Sequence, residues 1–301
     1  MKNWTIGVLS CVCFICLSIV FSSNRTFTKA DELGQANLPQ VIKSVPIADY
    51  VDLAGERVPT DRHDVKERLD RELMVNGYWH SNTIQAIKVS YRFFPTIERI
   101  LAEEGVPDDF KYLAVAESDL RLKTSYAGAK GYWQFMKASG KQYKLEINDE
   151  VDERYHIEKS TRAAAKYIKT MKKRFGSWTA AAAAYNVGPT RYKRIMAQQG
   201  SNNYYDLNLN DETSRYVFRV LAFKYILSNQ ESFGFYIPAE ERYQPLSNYR
   251  TVTVKKSVAD WSVFAKENGV SYRDLKIYNP WLIDSKLTVI SNTYEIKIPI
   301  L

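Results

Sequence analysis

The stretch PDDFKYLAVAESDLRLK, residues 107–123, places a carboxyl group where an aliphatic side chain would pack better. Its spacing predicts a helix. Pro107 suits a first-turn position, and Asp108 and Asp109 favour the positive end of the helix dipole. Phe110, Leu113 and Ala114 follow at i, i+3 and i+4, and the next position on that apolar stripe is Glu117. Burying a carboxylate is costly, so a buried carboxyl tends to keep its proton. At an unperturbed pKa of ~4.3, about 1 glutamate in 500 is protonated at pH 7. At a pKa of ~6, roughly 1 in 11 is. Glu117 is therefore a candidate general acid. Spacing alone leaves a second reading open, a glutamate at the stripe's edge paired with a lysine or arginine. Asp119, the nearest carboxylate in sequence, falls about 200° further round the helix and faces away. No other paired carboxylate stands out.

Other chemistries find little support. His63, His80 and His156 are far apart and in no HxxxH spacing, which argues against a metal site. There is no Gly-rich phosphate loop. The net charge of +8 is interspersed along the chain rather than gathered into a basic stripe, so a nucleic-acid footprint is absent. Without the first 30 residues, which hold Lys2, Arg25 and Lys29 and no acid, the charge is +5. That suits an acidic envelope polymer or an ordinary soluble surface.

The elements that would hold Glu117 are mainly helical. Val65, Leu69 and Leu73 recur from His63 onward, and Asn76-Gly77 ends the pattern. A second helix spans Asn82 to Phe94, and Pro95 opens or kinks the next, which ends at Gly105. The segment SYAGAKGYWQFM reads as a loop entering a short element. EKSTRAAAKYIKTMKKRFG is amphipathic. WTAAAAAYNVGP, capped by Ser177, allows close helix packing through its five alanines and stops at Asn186, Gly188 and Pro189. DETSRYVFRVLAFKYILSNQ is a strongly apolar helix. After Pro238 the texture changes to a strand (YRTVTVKK), two short helices capped by Ser257 and Ser271, and a closing strand (TYEIKIP).

The first 30 residues differ from the rest. Lys2 precedes the apolar run WTIGVLSCVCFICLSIVF, residues 4–21, then SSN. This is the pattern of a secretory signal, and the run is also near the minimum length of a membrane span. All three cysteines lie within it, so a processed chain would use neither disulfides nor thiols.

Four motifs now stand in order. VAESDL resembles the Glu-Ser motif of the lytic murein transglycosylases with a soluble-lytic-transglycosylase-type, lysozyme-like domain, and IERILAEEGVPDDFKYLAVAES resembles the lead-in to it. AGAKGYWQFM resembles the Gly-Leu-Trp-Gln-hydrophobic-Met segment, with Tyr132 where Leu or Ile is usual. AAYNVGP resembles the Ala-Tyr-Asn-x-Gly-Pro motif, and ETSRYVFRVLA the Glu-Thr-x-x-Tyr-Val segment of the membrane-bound D type. The likeness covers about residues 60–235. Each motif alone is weak; their order is specific.

The resemblance implies peptidoglycan glycan strands as substrate, no cofactor, and a site position by position. Glu117 would be the acid and then the base. Ser118 follows it as in the family, and Ser125 would orient its carboxyl. Gln134 would bond the sugar and Met136 would line the cleft. Tyr185 would bring its hydroxyl near Glu117, Asn186 would shape the site, and Tyr216 would contact glycan or Glu117. For Ser118, Ser125, Met136, Asn186 and Tyr216 a plainly structural role competes: a capping or turn hydroxyl, core packing, or a helix end. Residues 249–299 resemble LysM, a fold that binds N-acetylglucosamine polymers. SVADW stands for the usual Gly-Asp-Thr, and the glycine before the last strand is missing. Trp261 and Trp281 would touch sugar or, the stronger reading, pack a core.

The expected organisation is a signal peptide or anchor at 1–30, a linker at 31–60, a lysozyme-like helical domain at 61–240 and a small βααβ LysM-like module at 245–301. The expected location is the cell envelope, with membrane attachment through residues 4–21 as one option. A muramidase that adds water, and a wall-binding scaffold without activity, are the competing functions.

Overall fold

The computed structural model describes residues 43–300, so the apolar run at 4–21 and the expected signal or anchor lie outside the described residues. Among the described residues, no helix is long and apolar enough to cross a membrane. From Val45 onward the chain forms one compact unit.

The part of the expected linker that is described does not behave as one. A two-residue antiparallel pair, β1 (Asp52–Leu53) and β2 (Glu56–Arg57), carries Val51, Leu53 and Val58 into the helical core, all fully buried. Glu56 then accepts backbone N–H bonds from Trp178 (2.6 Å) and Thr179 (2.8 Å) and so caps a distant helix. Sequence periodicity misses this because each strand spans only two residues.

The helical body comprises α1 (His63–Tyr78), α2 (His80–Glu103), α3 (Lys111–Ser118), α4 (Lys137–Gln142), α5 (Ile157–Phe175), α6 (Trp178–Val187), α7 (Pro189–Gln199) and α8 (Asp211–Ser228). The architecture is mainly α, as expected. Several boundaries differ from the periodicity, two of them at prolines, and Asn76 and Gly77 lie inside α1 rather than ending it. Helix α2 runs through Pro95 without a break; one backbone hydrogen bond is lost, but Ile87 on one side and Ile97, Ile100 and Leu101 on the other stay buried. Pro189 does not merely stop α6 but begins α7, where its missing N–H costs nothing.

Helix α8 packs against α1, α3 and α6, and α6 also packs against α5. Ala180 to Ala184 are all fully buried, so α6 approaches its neighbours closely. This arrangement brings α3 and α8 side by side, and the candidate site lies where they meet.

The C-terminal module is βααβ: β3 (Tyr249–Val254), α9 (Trp261–Glu267), α10 (Tyr272–Tyr278) and β4 (Tyr294–Pro299), with β3 and β4 antiparallel and Val252 opposite Ile296. Asp260, not Ser257, caps α9, accepting from the Ser262 N–H at 2.6 Å. Trp261 and Trp281 are buried in the module core with Leu275, Ile296 and Ile298, which answers the question about their role in favour of packing. Val151, from the body, sits in that same core. The Asp152 N–H donates to the Trp281 carbonyl (2.9 Å), the Ile283 N–H to the Glu150 carbonyl (3.0 Å), and Lys297 pairs with Glu158. The module is thus docked on the segment from Glu146 to Glu158.

Candidate active site

Helix α3 is shorter than its apolar pattern. A 3-10 turn at Asp108–Phe110 leads into it, and it ends at Ser118 because Asp119 and Leu120 both take left-handed backbone (φ 52° and 56°). Leu120 is thereby turned into the core. Asp119 is left with its carboxylate accepting from Asn82 Nδ2 (3.0 Å) and paired with Lys123. Asp119 is indeed no partner for Glu117, but its neighbours, rather than helix azimuth, are the reason.

Glu117 lies on the last turn of α3. Across from it on α8, the buried Tyr216 donates a 2.5 Å hydrogen bond to Glu117 Oε1. Burial pushes the Glu117 carboxyl up to about 7; the Tyr216 bond and the charge of Arg219 oppose this, and Glu212 adds to it. At neutrality about half of such groups hold a proton. The Tyr216 phenol is itself held well above its ordinary range, by burial first and by Glu117 second. Tyr185 on α6 lies close enough for Glu117 to push its phenol in the same direction, after the larger effect of burial. Its hydroxyl donates to the Trp133 carbonyl at 2.7 Å, and its ring packs against Tyr167 with centroids 5.0 Å apart.

The segment after α3 is pinned at several points. Trp133 is fully buried, and its Nε1 donates to Thr161 Oγ1 at 3.0 Å. Arg154, buried and paired with Asp152 at 2.7 Å, donates to the Phe135 carbonyl at 3.2 Å. Gly131, at φ 81°, lies so close to this arginine that an added Cβ would stand 2.0 Å from the Arg154 carbonyl oxygen. Gln134 is held at φ 48°, a region a glutamine seldom occupies. Its Nε2 donates to the carbonyls of Gly131 (2.8 Å) and Lys123 (3.2 Å), so its Oε1 is the end left for a ligand.

Two expected site residues take other roles. Ser118 is buried, and its hydroxyl donates to the Tyr132 carbonyl at 2.8 Å, which ties α3 to the 131–135 segment; it cannot reach a substrate. Ser125 does not orient Glu117. Its Oγ accepts from the Ala129 N–H at 3.0 Å and closes a turn. Asn186 Oδ1 accepts from the buried Thr213 at 3.0 Å and joins the end of α6 to the start of α8. Met136 is 45% exposed at the start of α4.

The ETSRYVFRVLA segment contains Glu212 and Arg219, but only its Tyr216 carried an expected role, and Glu72 lies outside the motifs. Glu212, Tyr216 and Arg219 stand at i, i+4 and i+7, on one face of α8, and that spacing was the available signal. Arg219 contacts Glu212 (3.3 Å) and the buried Glu72 (3.6 Å), which also holds Arg215 at 2.5 Å. A cation near Glu117 is therefore fixed from α1. Among the described residues, no group of three or more His, Cys, Asp or Glu could hold a metal ion.

Residues 95–208 match the family described as Transglycosylase SLT domain, and residues 250–300 match the Soluble lytic transglycosylase C-terminal LysM-like domain. The chain carries an SLT transglycosylase domain followed by a LysM-like domain. Glu117, Gln134 and Tyr185 fall inside the SLT match; Tyr216 lies just beyond it. The chain is homologous to membrane-bound lytic murein transglycosylase D of Escherichia coli strain K12, with 27% identity over 229 residues, 74% of this chain and 49% of that protein. It thus spans about half the length of the curated relative. Among solved structures, it is similar to an inactive mutant of lytic transglycosylase Slt from Pseudomonas aeruginosa, at 21% identity over 52% of this chain and 28% of that one, with a TM-score of 0.39. The 70 kDa soluble lytic transglycosylase of Escherichia coli gives 20% identity, 50% and 26% coverage and a TM-score of 0.38.

Proposed function

We propose that this protein is a peptidoglycan lytic transglycosylase, with Glu117 as acid and then base. The observation that carries the reading is a half-buried carboxyl, bonded to a buried tyrosine and poised near neutrality, inside an SLT domain. Protonated Glu117 gives its proton to the glycosidic oxygen between N-acetylmuramic acid and N-acetylglucosamine, and the C1–O bond breaks. Tyr216 donates to the carboxylate that remains and stabilises it. That carboxylate then removes the proton of the C6 hydroxyl of the same muramic residue. O6 closes on C1, a 1,6-anhydro ring forms, and Glu117 is protonated again. A hydrolase of the common kind needs a second carboxylate about 5–9 Å away. Asp119 is occupied by Asn82 and Lys123, and Glu212 is exposed beside Arg219. An internal nucleophile needs no such partner, and its effective concentration is high.

Gln134, through Oε1, and Met136 would contact the sugar; Tyr185 and Asn186 would hold the wall of the site. The substrate places the protein in the envelope, the periplasm of a cell that has one. The LysM-like module would assist glycan binding through its surface, since Trp261 and Trp281 are in its core. Mass spectrometry of digested cell wall tests the reading. Anhydro-ended muropeptides from the wild type and none from Glu117→Gln are expected. Fully hydrated reducing ends would make the protein a muramidase; wall binding without cleavage by either form would make it a scaffold.

A further inference from the structure

A well-formed cavity lies away from Glu117. It is a cleft of about 820 Å³ between the helical body and the C-terminal module. Its size is that of a small-ligand site. The body supplies Arg92, Phe93, Arg121 and Tyr132; the module supplies Tyr272 and Arg273 among others. Five cationic and two acidic side chains line it. Of the cations, Lys297 is neutralised by Glu158. Lys276 donates to the Leu282 carbonyl at 2.6 Å and lies 5.3 Å from the Tyr272 ring centre. Arg92 donates to the Gln244 carbonyl at 3.1 Å. None of Arg92, Arg121 and Arg273 meets a carboxylate among the described residues, and the side chains of Arg121 and Arg273 are exposed with no partner there.

The cleft has a held shape. Val151 in the module core, the Asp152–Trp281 backbone bond and the Glu158–Lys297 pair fix its two walls. It also abuts the candidate active site from behind. The Tyr132 ring lines the cleft and packs on Phe93 with centroids 4.9 Å apart, while the Tyr132 carbonyl accepts from Ser118, the neighbour of Glu117.

The geometry points to this cleft as a binding site for a carboxylate-bearing peptide stem of peptidoglycan, with Arg121 and Arg273 as the anchoring cations. Guanidinium groups take carboxylates in two-point contact, and tyrosine rings cover the aliphatic parts of such a chain. A neutral N-acetylglucosamine polymer offers the arginines hydrogen-bond acceptors but no negative charge to pair with. The identity of the occupant rests on the peptidoglycan reading; the preference for a multiply anionic peptide rests on the cleft alone.

Calorimetry on the full chain tests this with two probes, a synthetic stem tripeptide carrying at least two free carboxylates and the neutral tetramer of N-acetylglucosamine. The tetramer is measured in Glu117→Gln to prevent turnover. The double substitution Arg121→Ala/Arg273→Ala is expected to weaken tripeptide binding by about tenfold or more and to leave tetramer binding unchanged. Both residues are exposed, and an unchanged melting temperature confirms the fold. No tripeptide binding by the parent chain, or equal binding by the double variant, overturns the inference. A loss confined to the tetramer also overturns it, since the cleft would then be a sugar site. Product analysis of the same wild-type preparation keeps the two questions apart: anhydro products with unaltered tripeptide binding defeat only the cleft, and arginine-dependent tripeptide binding without cleavage defeats only the catalytic reading.

Discussion

Tyr216 and Glu117, 99 residues apart, share a hydrogen bond of 2.5 Å across the contact of α8 with α3. The bond joins the half-buried carboxyl of Glu117 to a phenol that burial keeps protonated. Replacing Tyr216 by Phe removes a donor that lowers the Glu117 pKa, so that pKa rises above about 7. The basic limb of the pH–rate profile should move to higher pH, and kcat should fall by about tenfold. A limb that stays in place, or moves to lower pH, would show that the bond does not govern the acid.

Glu117 also links stability to pH. Its folded pKa of about 7 lies above the ordinary value of 4.5, so the folded state holds this proton more tightly than the unfolded one. The stabilisation is complete below pH 4.5 and is lost as pH rises through 7. Glu117→Gln carries no such titration. Relative to the wild type it should gain stability between about pH 4.5 and 7, by roughly 3 kcal/mol in the limit. Denaturant titrations at pH 4, 6 and 8 measure the difference, and a gap that is constant with pH would contradict it.

Gly131→Ala should be among the most disruptive single-methyl changes in the chain. The added carbon would stand 2.0 Å from the Arg154 carbonyl oxygen, and φ is 81°. A loss of about 3 kcal/mol or more is expected, with activity reduced because Gln134 sits on the same turn. Thermal melts beside product assays read both effects.

Ser118→Ala distinguishes tie from ligand. It leaves the buried Tyr132 carbonyl without its 2.8 Å donor. Stability should drop by about 1–3 kcal/mol while KM for cell wall changes little. A KM increase with an unchanged melt would restore Ser118 to the substrate.

Much of this was legible in the chain itself. The 3.6-residue repeats marked the helices around Glu117, the alternation after Pro238 marked the βααβ module, and four short motifs in order marked the SLT domain. These signals are local, and each follows from which face of an element is apolar. The carboxyl on the stripe of α3 was visible for the same reason.

Partners were not legible from spacing; the approach of Tyr216 and Tyr185 to Glu117 was expected only through the resemblance. Helical spacing sets the direction in which a side chain leaves its own helix, but not which helix lies opposite. Packing chose Glu117 as the partner of Tyr216, brought Arg219 beside it, gave Ser118 to the Tyr132 carbonyl, and turned Ser125 into a turn closure. Only packing placed residues 51–58 in the core and docked the module through Val151 to leave a cleft. The sequence decided that an acid would sit on an apolar face. The tertiary structure decided how dry that acid is and what holds it, because burial and hydrogen bonding depend on contacts between residues far apart in the chain.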